Sequence, residues 1–224
     1  MSQPMTMWGP QGPAGLWTAT GTAPGGGTDC PYSGSLSLMR SGSILAGSFQ
    51  SEQLGKRSCT GIVYNGLLLL ARSNSPTRPG IVWYTLTPNG DLQAVWNSAT
   101  FEGMTATGHA TGGQPGTLPG QRAITYFDPN GNALEPPELD LVIRPDGTAY
   151  AVDWVVRGAD KVVFTGVGLS IPNGLAVTWA PVEAGLQLDI LIYTLDPSSA
   201  GKTAEALWAT SGGGGCAGKE QIRR

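Results

Sequence analysis

Histidine occurs once, as His109, and cysteine three times, as Cys30, Cys59 and Cys216. A histidine-dependent nucleophilic site needs a Ser or Cys beside the imidazole and a carboxylate to orient it, and His109 stands among Gly and Thr without either. The cysteines show no CxxC spacing, which leaves nothing for a structural zinc site, and an odd number in so long a chain is no disulfide framework. Reduced thiols are therefore expected, with Cys30 and Cys59 as the one pair that could meet at an end of a sheet. No cofactor or metal is expected.

Charge is also scarce. Charged residues make up 13% of the 224, and the formal net charge is −3. Such a surface has no basic field for nucleic acid or anionic lipid. The longest apolar run, Ile62 to Ala71, falls far short of a membrane span, so no membrane insertion is expected. Met1 to Pro13 carries neither Lys nor Arg and no apolar stretch of the kind a signal peptide has. The expectation is a soluble, cytoplasmic protein. Helical signals are missing as well, because no 12-residue window keeps an i, i+3, i+4 apolar pattern free of Gly and Pro.

What is present is turn chemistry. Gly (34) and Pro (17) make up nearly a quarter of the chain without collagen periodicity, which points to short strands between many turns. The clearest strand pair is Thr165 to Trp179, whose Asn173-Gly174 is flanked by apolar strand formers and reads as a type I′ hairpin. A shorter copy runs from Thr60 to Leu69 around Asn65-Gly66.

That copy belongs to a longer repeat. Leu141 and Ile143 stand 105 positions after Leu36 and Leu38, Ile192 to Leu195 stand 109 after Trp83 to Leu86, and Leu207-Trp208 stand 112 after Val95-Trp96. The offset grows only at turns, as a structural duplication requires, because a one-residue slip inside a strand would reverse every side chain. The chain thus divides into an extended N-terminal arm (1–14), a first β repeat (15–102), a Gly/Thr/Pro-rich linker (103–120), a second β repeat (121–210) and a Gly-rich tail (211–224). An all-β, antiparallel fold follows, either one internally duplicated β-barrel or a pair of small barrels or sandwiches, with pseudo-twofold symmetry.

Candidate functional residues are aromatics and strand carboxylates. Trp8 lies on the arm and is costly to leave in water, so it folds back on its own domain or docks on a neighbouring subunit. Trp83 and Tyr84 alternate, so one of them faces away from its core. Trp154, Trp179 and Tyr193 also fall in strands and could line a barrel mouth. Asp153 and Asp189 are the carboxylates that could face a barrel interior and serve as acid or base. The Gly212 to Lys219 stretch has a phosphate-loop look but lacks its spacing and a following helix.

The motifs Gly166-Val167-Gly168-Leu169, Asn173 to Trp179, Ile192 to Leu195, Leu207-Trp208 and Lys219-Glu220 resemble the Gly-, Tyr- and Trp-rich β repeats of bacterial proteins of unknown function, some labelled fibronectin-binding. The first repeat departs from the pattern, with Ile62-Val63 where the glycine would fall. The strand rhythm is similar to that of avidin-like barrels, an analogy of fold alone. Three functions follow as expectations. The first is a non-enzymatic structural or interaction module that meets a protein partner, or a second copy, through outward aromatics and the arm. The second is a small-ligand-binding barrel with interior aromatics, and the third a barrel enzyme using a carboxylate.

Overall fold

The computed structural model describes residues 8, 12–25, 30–134, 138–183 and 185–224. Among the described residues sixteen strands run in chain order. The first five are β1 (Gly15–Ala23), β2 (Cys30–Ser41), β3 (Ile44–Ser51), β4 (Gly55–Tyr64) and β5 (Leu67–Ser73). The next eight are β6 (Gly80–Leu86), β7 (Leu92–Asn97), β8 (Ala106–Thr111), β9 (Gly120–Phe127), β10 (Leu139–Asp146), β11 (Ala149–Val156), β12 (Lys161–Ile171) and β13 (Gly174–Pro181). Last come β14 (Leu188–Leu195), β15 (Thr203–Thr210) and β16 (Gly218–Arg223). Two single-turn 3₁₀ helices, Ala99–Phe101 and Pro197–Ser199, are the only helical segments among the described residues. No helix there is long and apolar enough to cross a membrane.

The strands close into two antiparallel barrels of eight. One barrel joins β1–β5 to β14–β16, and the other is the unbroken run β6–β13. Of the alternatives open from the sequence, the pair of barrels is the one adopted. Ladder registers place Leu36 opposite Phe49 and Leu141 opposite Trp154, and Tyr193 opposite Ala206 and Tyr84 opposite Ala94. These equivalences make β9–β16 a second copy of β1–β8. Each barrel consequently takes five strands from one copy and three from the other. The copies have exchanged their last three strands, as in a domain-swapped dimer held within one chain.

The crossings occur at residues 74–79 and 182–187. These connectors bind each other: Asn74 Nδ2 donates to the Gly185 carbonyl at 3.0 Å and Gln187 N to Asn74 Oδ1 at 2.9 Å. Thr60 Oγ1 also donates to the Pro79 carbonyl at 2.8 Å. The barrels meet along an apolar seam of Ile62, Leu69, Ala71 and Ile190 against Ile81, Val167, Leu169 and Ala176. This explains the Leu67–Leu70 run, in which Leu68 and Leu70 fill one barrel while Leu69 faces the other. A strand apolar on both faces marks the seam.

Three readings of the sequence change. The stretch expected as a linker contains β8, whose Ala106, Gly108 and Ala110 alternate inward with buried, minimal side chains while His109 faces out, half exposed beside Asp91. The segment after it lies under the second barrel, held by the wholly buried Arg122, whose guanidinium donates to the carbonyls of Gly90 (3.1 Å), Leu118 (2.7 Å) and Thr117 (2.7 Å). The expected tail contains β16, which closes the first barrel and carries the buried Glu220 and Ile222. The hairpins also differ. Asn65 and Gly66 both have positive φ, as type I′ requires, but the second turn is Pro172-Asn173, with Asn173 alone at positive φ (61°) and Gly174 already in β13. Pro at the first central position and a left-handed second one is the type II pattern, so Asn173 corresponds to Gly66.

Candidate functional site: an aromatic cavity in the second barrel

Equivalent interior positions of the two barrels hold opposite chemistry. Tyr193 and Trp208 of the first barrel match Tyr84 and Trp96 of the second. Around them, Arg57, Arg72, Asp189 and Glu220 take the places that Phe164, Trp179, Gly80 and Gly108 hold in the second barrel. Gly21 stands where the second barrel has Tyr126.

In the first barrel the four polar residues fill the space. Arg72 and Glu220 form an ion pair with both side chains at 0% exposure. The Glu220 carboxylate also accepts from the hydroxyls of Tyr193 and Tyr32, and Arg72 Nη2 donates to Tyr193 Oη at 2.9 Å. The guanidinium stacks 4.2 Å from the Phe49 ring centroid. Burial, and then the neighbouring Glu220, push the Tyr193 and Tyr32 hydroxyls above the ordinary tyrosine range. Burial works against the Arg72 charge, but Glu220 and the two tyrosines more than restore it. Burial also raises the Asp189 carboxyl, with Arg72 and Arg57 pulling the other way. Cys59, fully buried, has its thiol pushed up to about 12 by desolvation. All three cysteines are free, Cys30 and Cys216 being exposed.

The second barrel keeps the room that those side chains would occupy. A cavity of about 620 Å³ lies among residues of β7 and β9–β13 and of the segment after β9. Its walls are Trp96, Trp154, Trp179, Phe164 and Tyr126, with Ile124, Leu139, Val163 and Leu134 between them. Trp179 is the hub, with ring centroids 6.0 Å from Trp96, 6.1 Å from Trp154 and 5.3 Å from Phe164. Two glycines make this arrangement possible by close approach. A Cβ on Gly80 would lie 2.1 Å from Trp179 Cε2, and one on Gly108 would lie 2.7 Å from the Tyr126 ring. The aromatic cup therefore depends on side chains that are missing where the first barrel has Asp189 and Glu220.

Local structure holds the rim. Asp128 Oδ1 accepts from the backbone of Asn130 and Asn132, both at 2.8 Å, which folds the β9–β10 loop back. Leu134 N then donates to the Tyr126 carbonyl at 2.8 Å, setting Ala133 and Leu134 over the opening. With the antiparallel bridge between Phe127 and Ala133, this bond folds residues 133 and 134 back along the end of β9. Arg157 ties the opposite turn to Glu138 Oε2 (2.7 Å) and Asp140 Oδ1 (3.0 Å).

Below the aromatic walls, Tyr84 and Tyr126 hydroxyls lie 2.7 Å apart, and Trp154 Nε1 donates to Tyr126 Oη at 2.6 Å. Burial raises both tyrosines above their ordinary range, so they are neutral at physiological pH. Trp96 Nε1 is satisfied by the Thr107 carbonyl at 2.9 Å.

The expected site residues are thus dispersed. Trp154 and Trp179 line the cavity and Tyr84 lies beneath it. Tyr193 and Asp189 belong to the first barrel's polar interior. Trp8 is 1% exposed, packs edge-on at 6.1 Å against Trp17, and donates from Nε1 to the Gly66 carbonyl at 2.9 Å, so it folds back on its own barrel. Trp83 faces out of the second barrel and packs on Tyr64 in the seam, with centroids 5.0 Å apart. Asp153 corrects the interior reading: it shares the outer face with Ala151 and Val155, and pairs with Arg144 and Thr165 Oγ1.

Comparison with protein-family models, curated proteins and solved structures gave no match. The cavity offers ring faces, aliphatic walls and a neutral hydroxyl floor. Among the described lining residues the one ionisable carboxylate is Glu138, whose side chain is 73% exposed and engaged by Arg157. No group of three or more His, Cys, Asp or Glu that could hold a metal occurs among the described residues.

Sequence reasoning missed Tyr126, Phe164, Arg72 and Glu220 as members of these interiors. Their alternation within strands was visible, but the partners they meet come from strands far away in the chain.

Proposed function

We propose that the second barrel is a receptor for a small, ring-bearing apolar molecule, and that the first barrel is its structural counterpart. The observation that carries this reading is the contrast at equivalent positions, where one interior is occupied by its own Arg72, Glu220 and Asp189 and the other keeps an aromatic cavity of about 620 Å³. That volume and lining are those of a small-molecule site. An interaction module would need its aromatic anchors on the outside, but Trp8 and Trp83 are used within the chain. A carboxylate enzyme would need Asp153 or Asp189 in the cavity, and neither lines it.

The test is a titration of flat apolar compounds followed by tryptophan emission, with calorimetry for stoichiometry. Saturable quenching at one ligand per chain is expected, weakened by Trp179→Ala. If no compound in the panel changes emission or melting temperature up to its solubility limit, the reading fails.

A further inference from the structure

The cavity floor contains an uneven number of hydrogen-bond donors and acceptors. Trp154 Nε1, Tyr84 and Tyr126 bring one hydrogen each, and the two phenolic oxygens are the acceptors they share. Trp154 uses its hydrogen on Tyr126 Oη, and the contact between the hydroxyls uses a second. One O–H hydrogen is left over.

Its position follows from burial. Tyr84 is 0% exposed and does not line the cavity, and its hydroxyl has Tyr126 Oη as its hydrogen-bond partner among the described residues. Tyr84 therefore donates to Tyr126. With its oxygen accepting from both Trp154 and Tyr84, Tyr126 has its own hydrogen free, and Tyr126 lines the cavity. An oxygen of a bound ligand can take that hydrogen, and the neutral state of both tyrosines keeps it in place.

We infer that the ligand is an uncharged, ring-bearing molecule that presents a hydrogen-bond acceptor, a carbonyl or ether oxygen, to Tyr126 while its ring lies among Trp96, Trp154 and Trp179. This rests on the receptor reading above and adds the chemistry of the ligand. An anion is disfavoured, because no Lys or Arg is among the described lining residues and Glu138 stands at the rim. A plain hydrocarbon would fill the walls and leave the Tyr126 hydrogen without an acceptor.

The experiment uses calorimetric titration of the full chain with three probes of similar size: 2-acetylnaphthalene, 2-isopropylnaphthalene and 2-naphthoate. In the unmodified protein the ketone is expected to bind more tightly than the hydrocarbon by roughly fivefold, the scale of one hydrogen bond, and the carboxylate most weakly. In Tyr126→Phe the preference for the ketone over the hydrocarbon should vanish. Tyr84→Phe removes a neighbouring hydroxyl but leaves Tyr126 free to donate, so that variant should keep the preference, which a general loosening of the floor would not allow. Equal binding of ketone and hydrocarbon, or tightest binding of the carboxylate, overturns the acceptor proposal and leaves the receptor reading standing. Failure of all three probes, together with a wider panel that leaves tryptophan emission unmoved, overturns both. If Tyr126→Phe does not fold, the Tyr84→Phe result with the three probes decides: loss of the preference there refutes the assignment.

Discussion

Glu220→Gln is the sharpest perturbation available in the first barrel. The substitution keeps the shape and one acceptor oxygen for the tyrosine hydroxyls but removes the charge that faces Arg72. Both side chains are at 0% exposure, so no water replaces the lost partner. Breaking a buried pair from one side costs about 3–5 kcal/mol, because the remaining charge stays buried. At about 2–4 °C per kcal/mol for a chain of this size, the melting temperature should fall by roughly 6–20 °C. Arg72 Nε and Nη1 have no partner among the described residues, so the native pair is itself incompletely satisfied. The double variant Arg72→Met/Glu220→Gln removes the orphaned charge and should recover at least half of the loss. Because each barrel draws strands from both copies, melting should remain a single transition. Urea unfolding and calorimetry of the two single variants and the double variant measure this. A loss below about 1 kcal/mol for Glu220→Gln would refute the reasoning, and so would a double variant as unstable as the sum of the singles.

Other outcomes follow from the same geometry. Cys30 and Cys216 are exposed while Cys59 is sealed with its thiol raised to about 12, so a thiol reagent should titrate two cysteines at once and the third only on unfolding. Rapid reaction of all three in the folded protein would contradict the packing. Asp189 has a folded-state pKa above its unfolded value, so its contribution is fully present below the unfolded value and is lost as pH rises through the raised one. Asp189→Asn should therefore compare better with the unmodified protein at pH 7 than at pH 4 in urea titrations; the reverse ranking would show that ion pairing with Arg57 outweighs burial. Cutting the chain in the exposed Pro115-Gly116 tip gives halves that each supply five strands to one barrel and three to the other. Co-expressed, they should copurify in equal amounts, and two folded monomers that ignore each other would argue against the exchange.

Much of the architecture was legible in the chain. Alternation, turn residues and the growing offset between copies revealed antiparallel strands and a duplication, because side-chain direction in a strand has period 2 and insertions survive only at turns. β8 and β16 are hidden in the sequence because Gly108, Ala110 and Gly218 look like linker or tail composition, yet a small barrel accepts small side chains where a large neighbour such as Tyr126 or Trp208 needs the room. The Asn173-Gly174 pair points to a turn one residue later than the one that forms, because Pro172 fixes φ at the first central position and Asn173 takes the left-handed one.

By itself the sequence determined the class of fold, the duplication, and the inward or outward face of most strand residues, since these depend on contacts between near neighbours in the chain. Only the tertiary structure decided which strands share a barrel and therefore which side chains meet. Arg72 and Glu220 are 148 positions apart, and Tyr84 and Tyr126 are 42 apart. Once the last three strands of each copy crossed over, equal positions faced different neighbours, and the packing of those distant groups left one interior filled with its own charges and the other open among tryptophans.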